Sequence, residues 1–304
     1  MSNVTADRNL LMGYYHYLFK EIGDPRTNDW FLVTHPVVFP IVGFYLYFVT
    51  KLGPKLMQNR PAFDFKYTLV IYNALQVVVS TWMFWEAVDV AFFDDYSWTC
   101  EPVDFSPSPK ALRIARGVYV FYLAKISELL DTVFFVLRKK YTQVTFLHLY
   151  HHAVMPMVSW GVVKYFPGGH AVFIGLVNSF VHIIMYTYYM LSALGPHLQK
   201  YLWWKKYITN LQMIQFCLAF IHSSQLLFYD CGYPKWSMFF TLPNAIFFYY
   251  LFDDFYNQAY KYDKKIENKG KANGYLKDDK NGNTQTCVTN GRTELQNWYH
   301  PKTL

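Results

Sequence analysis

Charged side chains are scarce in this sequence: Asp, Glu, Lys and Arg make up 16% of its 304 residues, where an average soluble domain carries about a quarter. That shortage argues against a chain hydrated on all sides. The first thirty residues lack an apolar h-region and instead carry Asp7, Arg8, Lys20, Glu21, Asp24, Arg26 and Asp29. No cleavable signal peptide is therefore visible, and insertion into a membrane falls to the first spanning helix. Internal repeats are missing too, which leaves a channel or transporter without the symmetry such folds commonly show.

What the chain has in quantity is apolar and aromatic surface. Hydrophobic residues reach 53%, with 27 Tyr, 27 Phe and 9 Trp, a supply suited to interfacial belts and to the walls of an apolar chamber. Spans are predicted at about 30–50, 67–92, 112–137, 144–163, 170–192, 207–228 and 236–258. Several contain polar residues and score poorly on plain hydropathy. The expected fold class is thus all-α, a polytopic membrane protein of about seven transmembrane helices. From Asp263 onward Lys, Asn, Gly, Asp and Thr dominate without periodicity, so 263–304 reads as a disordered tail.

The formal net charge of +7 is segregated. Lys51, Lys55, Arg60 and Lys66 follow the first span, Arg138, Lys139 and Lys140 the third, and Lys200, Lys205 and Lys206 the fifth. Lys261, Lys264, Lys265, Lys269 and Lys271 follow the seventh. These alternate loops share one side, the cytosolic one by the positive-inside rule. The N-terminal segment 1–29 is then lumenal and the C-terminus cytosolic. The sequon Asn3-Val4-Thr5 falls on the lumenal side as a glycosylation candidate. Cys100 and Cys231 fall there as well, where an oxidising compartment permits a disulfide between them; two free thiols are the alternative.

Ionisable residues inside a span are costly and point to function by default. The third span reads Lys125-Ile-Ser-Glu128-Leu-Leu-Asp131-Thr132, three charges on one helix face. Asp131 lies roughly 10 Å, and Lys125 roughly 20 Å, from the cytosolic end. The fourth span presents His148-Leu-Tyr-His151-His152, again on one face and at a similar depth. The fifth carries Asn178, His182, Met185, Tyr186 and Tyr189 in a single stripe, and the sixth Thr209, Gln212, Gln215 and His222. An internal ion pair that fastens helices is the plain reading of Lys125, and interhelical hydrogen bonding that of Gln212 and Gln215. Polar groups from four helices at one level nevertheless describe a polar chamber reached from the cytosol, with apolar space beyond it for a long hydrophobic chain.

These motifs resemble the ordered signature of the ELO family of very-long-chain fatty acid elongases, or 3-oxoacyl-CoA synthases. They are Lys125-x-x-Glu128-x-x-Asp131-Thr132, His148-x-x-His151-His152, Asn178-x-x-x-His182-x-x-Met185-Tyr186-x-Tyr188-Tyr189 and Thr209-x-x-Gln212-x-x-Gln215. The resemblance covers about residues 25–262, which makes 30–262 the catalytic membrane domain. Leu194-Gly-Pro and Lys200-Tyr-Leu-Trp-Trp-Lys-Lys-Tyr207 look most like the animal type 1 and type 7 subgroup. The chain ends Pro301-Lys302-Thr303-Leu304, an incomplete form of the dilysine retrieval signal of many relatives.

The resemblance implies an enzyme of the endoplasmic reticulum membrane that condenses fatty acyl-CoA with malonyl-CoA to 3-oxoacyl-CoA, releasing CO2 and CoA. It implies no bound cofactor, no metal and no nucleic acid. It also implies the reductases and dehydratase of the elongation cycle as partners, and allows a homodimer. Soluble condensing enzymes commonly use a cysteine, but Cys217, the one cysteine inside a span, lies on no ionisable motif. His151 is therefore the expected acyl acceptor, with His148 and His152 tuning or holding it and His182 assisting. Glu128 or Asp131 is expected to fix imidazole tautomers, and Lys125 joins the catalytic set. Asn178, Tyr189 and Gln212 are candidate oxyanion or carboxylate donors, with Tyr186 and Gln215 beside them. Arg138, Lys139, Lys140, Lys205 and Lys206 sit where CoA phosphates arrive. A membrane di-iron desaturase also uses a His-x-x-His-His box, but it needs several such boxes. The other histidines, His16, His35, His170, His182, His197, His222 and His300, form no second one. A seven-helix receptor shares the topology but gives no reason for acids and histidines at one depth.

Overall fold

The computed structural model describes residues 10, 12–93, 95–262, 276–278 and 284–286. Asn3, most of the tail and the C-terminal Pro301-Lys302-Thr303-Leu304 lie outside the described residues. The chain divides at Tyr250 into two units.

The first unit holds long helical rods. α1 covers residues 38–57, α2 Lys66–Phe93, and α3 Pro109–Ser127 continued by Leu129–Leu137. α4 is Phe146–Tyr165, α5 Val172–Leu194, α6 Lys205–Ser224, and α7 starts at Met238 and runs to Tyr256. The expected all-helical class is what the chain adopts, with one rod at each predicted position.

Local chemistry sets the rod ends. Ser108 caps α3, its hydroxyl accepting from the Ala111 amide at 3.1 Å, and Pro109 supplies a preset first turn. Thr145 caps α4 in the same way, accepting from the His148 amide at 3.2 Å. Gly195 at φ 131° ends α5. Between α4 and α5, Gly169 holds φ 56° where a Cβ would stand 2.9 Å from the carbonyl oxygens of Glu101 and Pro102, so a side chain there is excluded by both backbone and space.

α1 departs most from its predicted span. Residues 30–37 turn irregularly because Pro36 disfavours helical geometry at His35. The rod then continues past 50 through a π-turn, Phe48–Leu52, which carries it to Gly53 and Pro54. A Cβ on Gly53 would lie 2.7 Å from Val136 Cγ1, so its absence lets α1 close on the second half of α3.

α2 packs along α5, α3 along α4, and α6 against α5, while α1 lies against α4 and α3. Large apolar side chains are exposed on the outside of the bundle, while its interior holds buried polar groups alongside apolar clusters. On α2, Ile71, Leu75, Val78 and Trp85 are exposed, whereas Asn73, Gln76 and Ser80 are buried. That arrangement suits a lipid solvent. Lys66–Phe93 and Gly169–Leu194 are each long and apolar enough to cross a membrane, although both also send buried polar groups into the interior.

One end of the bundle is tied covalently and by ions. Cys100 and Cys231 form a disulfide with Cα atoms 5.8 Å apart, on a cluster of Phe166, Leu226, Tyr233 and Met238. Arg26 pairs with Asp24 at 2.6 Å and donates to the carbonyl oxygens of Asp104 and Ser106. The Asp24 amide donates to the Lys164 carbonyl at 2.8 Å, so the N-terminal segment docks on this same end. Arg113 ties α3 to Glu86 and Asp89 of α2.

In the second unit, Asn257 and Gln258 donate to Asp253 and Asp254 one turn earlier. Leu276–Asp278 pairs antiparallel with Thr284–Thr286, a short ladder within the stretch the composition marks as a disordered tail.

Before reduction, a thiol reagent applied to the purified protein is expected to leave Cys100 and Cys231 unmodified, and after reduction to modify both. Peptide mass spectrometry reads this directly; modification of either cysteine in unreduced protein contradicts the pairing.

Candidate functional site

The site starts from an interruption in α3. Glu128 stands between its two helical segments, and the Ser127 hydroxyl turns back onto the Ala124 carbonyl at 2.8 Å. This places Lys125 in the last turn of one segment, Glu128 at the junction and Asp131 in the first turn of the next. Lys125 and Glu128 are buried, at 2% and 3% exposure.

Two charges at that depth are tolerated only if fully paired. Lys125 Nζ donates to both Glu128 oxygens, at 2.9 and 3.1 Å. His182 of α5 closes the group, with Nδ1 3.3 Å from Glu128 Oε1 and Nε2 3.4 Å from Lys125 Nζ. Lys125 also lies over the Phe121 ring at 4.8 Å. One turn on, the Tyr186 hydroxyl donates to Asp131 at 2.9 Å. Tyr72 of α2 donates to the Ser127 carbonyl, and Gln76 donates to the Tyr72 oxygen and the Ser127 hydroxyl. Tyr72 and Gln76 had no place in the motif reading; the signal for Gln76 was its polar side chain in an apolar span.

The histidines form the facing wall. The His148 and His152 rings lie against each other, tilted, with centroids 4.1 Å apart. His148 Nε2 lies 2.8 Å from Thr132 Oγ1, which lies 2.7 Å from the Tyr45 hydroxyl. His151 turns away from that chain, beside His152 at 5.3 Å and Phe248 at 5.4 Å. Tyr150 donates to Asn244 at 2.8 Å, tying α4 to α7. Pro156 has no amide proton for the His152 carbonyl, so the α4 helix carries a missing hydrogen bond just beyond the cluster.

His151 is half-buried and lines a largely apolar cavity of about 490 Å³. Its other walls include Phe121, Val158, Phe166, Asn178, Gln215 and Phe248. Asn178 Oδ1 and Gln215 Oε1 are buried without a hydrogen-bond partner among the described residues, a state that costs about 1–3 kcal/mol per group.

The structure thus brings together Lys125, Glu128 and His182, pairs Asp131 with Tyr186, and clusters His148, His151 and His152. The carboxylate expected to set an imidazole tautomer reaches His182; Asp131 reaches a phenol instead. Gln212 points its amide at Met185 Sδ, 3.6 Å away, and Tyr189 is 42% exposed beside Tyr186. Arg138, Lys139, Lys140, Lys205 and Lys206 sit at rod ends, with Lys139 reaching the Gln58 carbonyl and Lys206 lying over Tyr207. His222, grouped by spacing with Gln212, lies ten residues further along α6, roughly 15 Å. It stacks on His170 at 3.8 Å, and each ring contacts the other residue's carbonyl oxygen.

Comparison with known proteins adds to this geometry. Residues 30–268 match the model of the ELO, GNS1/SUR4 family. The chain is 49% identical over 268 residues to very long chain fatty acid elongase 7 of Drosophila melanogaster, covering 85% of this chain and 81% of that one. It is 41% identical over 268 residues to very long chain fatty acid elongase 1 of Mus musculus, at 87% and 95% coverage. With very long chain fatty acid elongase 4 of Homo sapiens it shares 40% over 298 residues, at 96% and 93% coverage.

Replacing Lys125 by Met leaves the Glu128 carboxylate buried beside a single imidazole, a change expected to cost about 3–5 kcal/mol. Lys125→Met/Glu128→Gln, which removes both charges, is expected to recover most of that loss. Thermal unfolding of the detergent-solubilised variants measures it. Additive losses in the double variant would mean that the two residues are not coupled.

Proposed function

The chain belongs to the ELO (GNS1/SUR4) family, and from that premise we propose that it is the condensing enzyme of fatty acid elongation, a 3-oxoacyl-CoA synthase. The reaction joins a long-chain fatty acyl-CoA to malonyl-CoA, with release of CO2 and CoA. The observation that carries this reading is the position of His151: an imidazole at the boundary between a polar cluster and an apolar cavity, both formed from membrane helices.

The chemistry proceeds in two halves. Neutral His151 attacks the acyl thioester; a C–N bond forms, the C–S bond breaks, and the imidazole proton leaves with CoA. Malonyl-CoA then loses CO2, and the electrons of the broken C–C bond form an enolate carbanion. This attacks the acyl-imidazole carbon, the C–N bond breaks, 3-oxoacyl-CoA departs, and the imidazole recovers a proton. An acyl-imidazole divides one difficult step into two easier ones.

The other residues take supporting roles. His182, held by Glu128 and Lys125, orients the malonyl donor or moves protons, and His148 and His152 hold the nucleophile. Gln212, whose amide meets a weakly accepting thioether among the described residues, joins Asn178 and Tyr189 as donors to developing oxyanions, with Tyr186 and Gln215 beside them. Arg138, Lys139, Lys140, Lys205 and Lys206 receive the CoA phosphates. The scheme calls on no bound cofactor. A di-iron reading is disfavoured because Thr132 occupies His148 Nε2 and the His148 ring lies against His152, which is not how ligands of one metal stand; stoichiometric iron in the purified protein would overturn this point.

All seven rods span the membrane in this reading, with the N-terminus lumenal and the tail cytosolic in the endoplasmic reticulum. Support comes from the disulfide, which needs an oxidising compartment, and from the N-terminal segment, which docks at that same end. Glycosylation of Asn3 is consistent with that orientation. The reductases and dehydratase of the cycle are the expected partners, and a homodimer is compatible with the exposed apolar faces.

Intact-protein mass spectrometry after addition of acyl-CoA alone is expected to show one covalent acyl group in the wild type and none in His151→Ala. An adduct that persists in His151→Ala, or that never forms, removes the proposed nucleophile.

A further inference from the structure

Tyr45 lies on α1, a helix that carries none of the motifs. It is buried at 5% exposure in an apolar cluster with Val49, Leu129 and Val136. Among the described residues its hydrogen-bond partner is Thr132 Oγ1 at 2.7 Å, and Thr132, fully buried, contacts His148 Nε2 at 2.8 Å. Three helices thus meet in a chain of two hydrogen bonds that ends on the histidine cluster.

The direction of the chain follows from what each group has available. If His148 Nε2 donated to Thr132 and Thr132 to Tyr45, the phenolic O–H would be left with no acceptor inside an apolar cluster, at the cost of an unmade buried hydrogen bond. In the opposite direction the buried phenol keeps its bond, and His148 Nδ1 is not among the buried polar atoms left without a partner among the described residues. The Tyr45 O–H donates to Thr132, the single Thr132 proton goes to His148 Nε2, and Nε2 is the acceptor. The imidazole proton of His148 then sits on Nδ1.

We propose that Tyr45 is a positioning residue which, through Thr132, sets His148 in the Nδ1–H tautomer, while Phe135 and His152 pack against its ring. The Phe135 ring lies 5.2 Å and the His152 ring 4.1 Å from that of His148, both tilted against it, so ring packing limits rotation while the hydrogen bond selects the tautomer. The consequence for catalysis rests on the reading of the cluster given above; the tautomer does not. In Tyr45→Phe the Thr132 hydroxyl is released to accept as well as donate, and the preference for Nδ1–H weakens.

The test uses the full chain in detergent with nitrogen-15-labelled histidine, resonances being assigned by His148→Gln. Wild type is expected to show His148 Nε2 with the shift of an unprotonated ring nitrogen, and Tyr45→Phe a shift moved toward the averaged or reversed tautomer. In parallel, incorporation of labelled malonyl-CoA is expected to fall about 5-fold in kcat for Tyr45→Phe, the worth of one neutral hydrogen bond, with KM for acyl-CoA unchanged. Thr132→Val is expected to lose at least as much, Thr132→Ser to restore it, and Tyr45→Phe/Thr132→Val to lose no more than Thr132→Val alone. A protonated Nε2 in wild type, or a His148 spectrum unaltered by Tyr45→Phe, overturns the proposal. Wild-type protein without malonyl-CoA incorporation would count against the elongation reading and leave the tautomer measurement to stand or fall by itself.

Discussion

Everything in the interior is organised around the desolvated group formed by Lys125, Glu128 and His182. A carboxylate and an ammonium removed from water lose more solvation than a simple contact returns, unless nearly every donor and acceptor is engaged. Here the ammonium spans both carboxylate oxygens and the imidazole takes one side of each partner. That requirement holds α3 against α5, at the interruption of α3 where Glu128 stands. The helices around it enclose this polar group within a bundle whose other buried clusters are apolar.

The two ends of the bundle differ for physical reasons. At one end covalent and ionic ties predominate: the Cys100–Cys231 disulfide, the Arg26–Asp24 pair and the Arg113 bridges. At the other, lysines and arginines sit at rod ends with few partners among acids. Between them lies the cavity, whose walls are largely apolar with His151, Asn178 and Gln215 among them. His151 lines that cavity and His148 and His152 do not, which is why it is singled out from its two neighbours.

Much of the helix pattern was legible because it depends on near neighbours. Ser108-Pro109 and Thr145 cap α3 and α4 by contacts three residues away, and the apolar runs of α2 and α5 announce themselves. α1 was misplaced by several residues because its start depends on Pro36 and its extension on a π-turn and on Gly53, whose value appears only against Val136. The spacing of Lys125, Glu128 and Asp131 showed that they share a face. It did not show that Glu128 would take Lys125 and His182 while Asp131 would take Tyr186. His222 was grouped with Gln212 by phase alone; helical phase says nothing about distance along the axis, and the axis carried it to His170.

The sequence by itself determined the class of solvent, the helical architecture, the charge asymmetry between loops and the candidate residues, because each depends on composition or on periodicity along one segment. Only the tertiary structure decided the partners. Which imidazole receives the carboxylate, which faces the cavity, and that Tyr45 reaches the histidines through Thr132 are all matters of contact between segments far apart in the chain. Such contacts depend on helix rotation, axial offset and the small gaps left by residues like Gly53, and a one-dimensional pattern does not encode any of these directly.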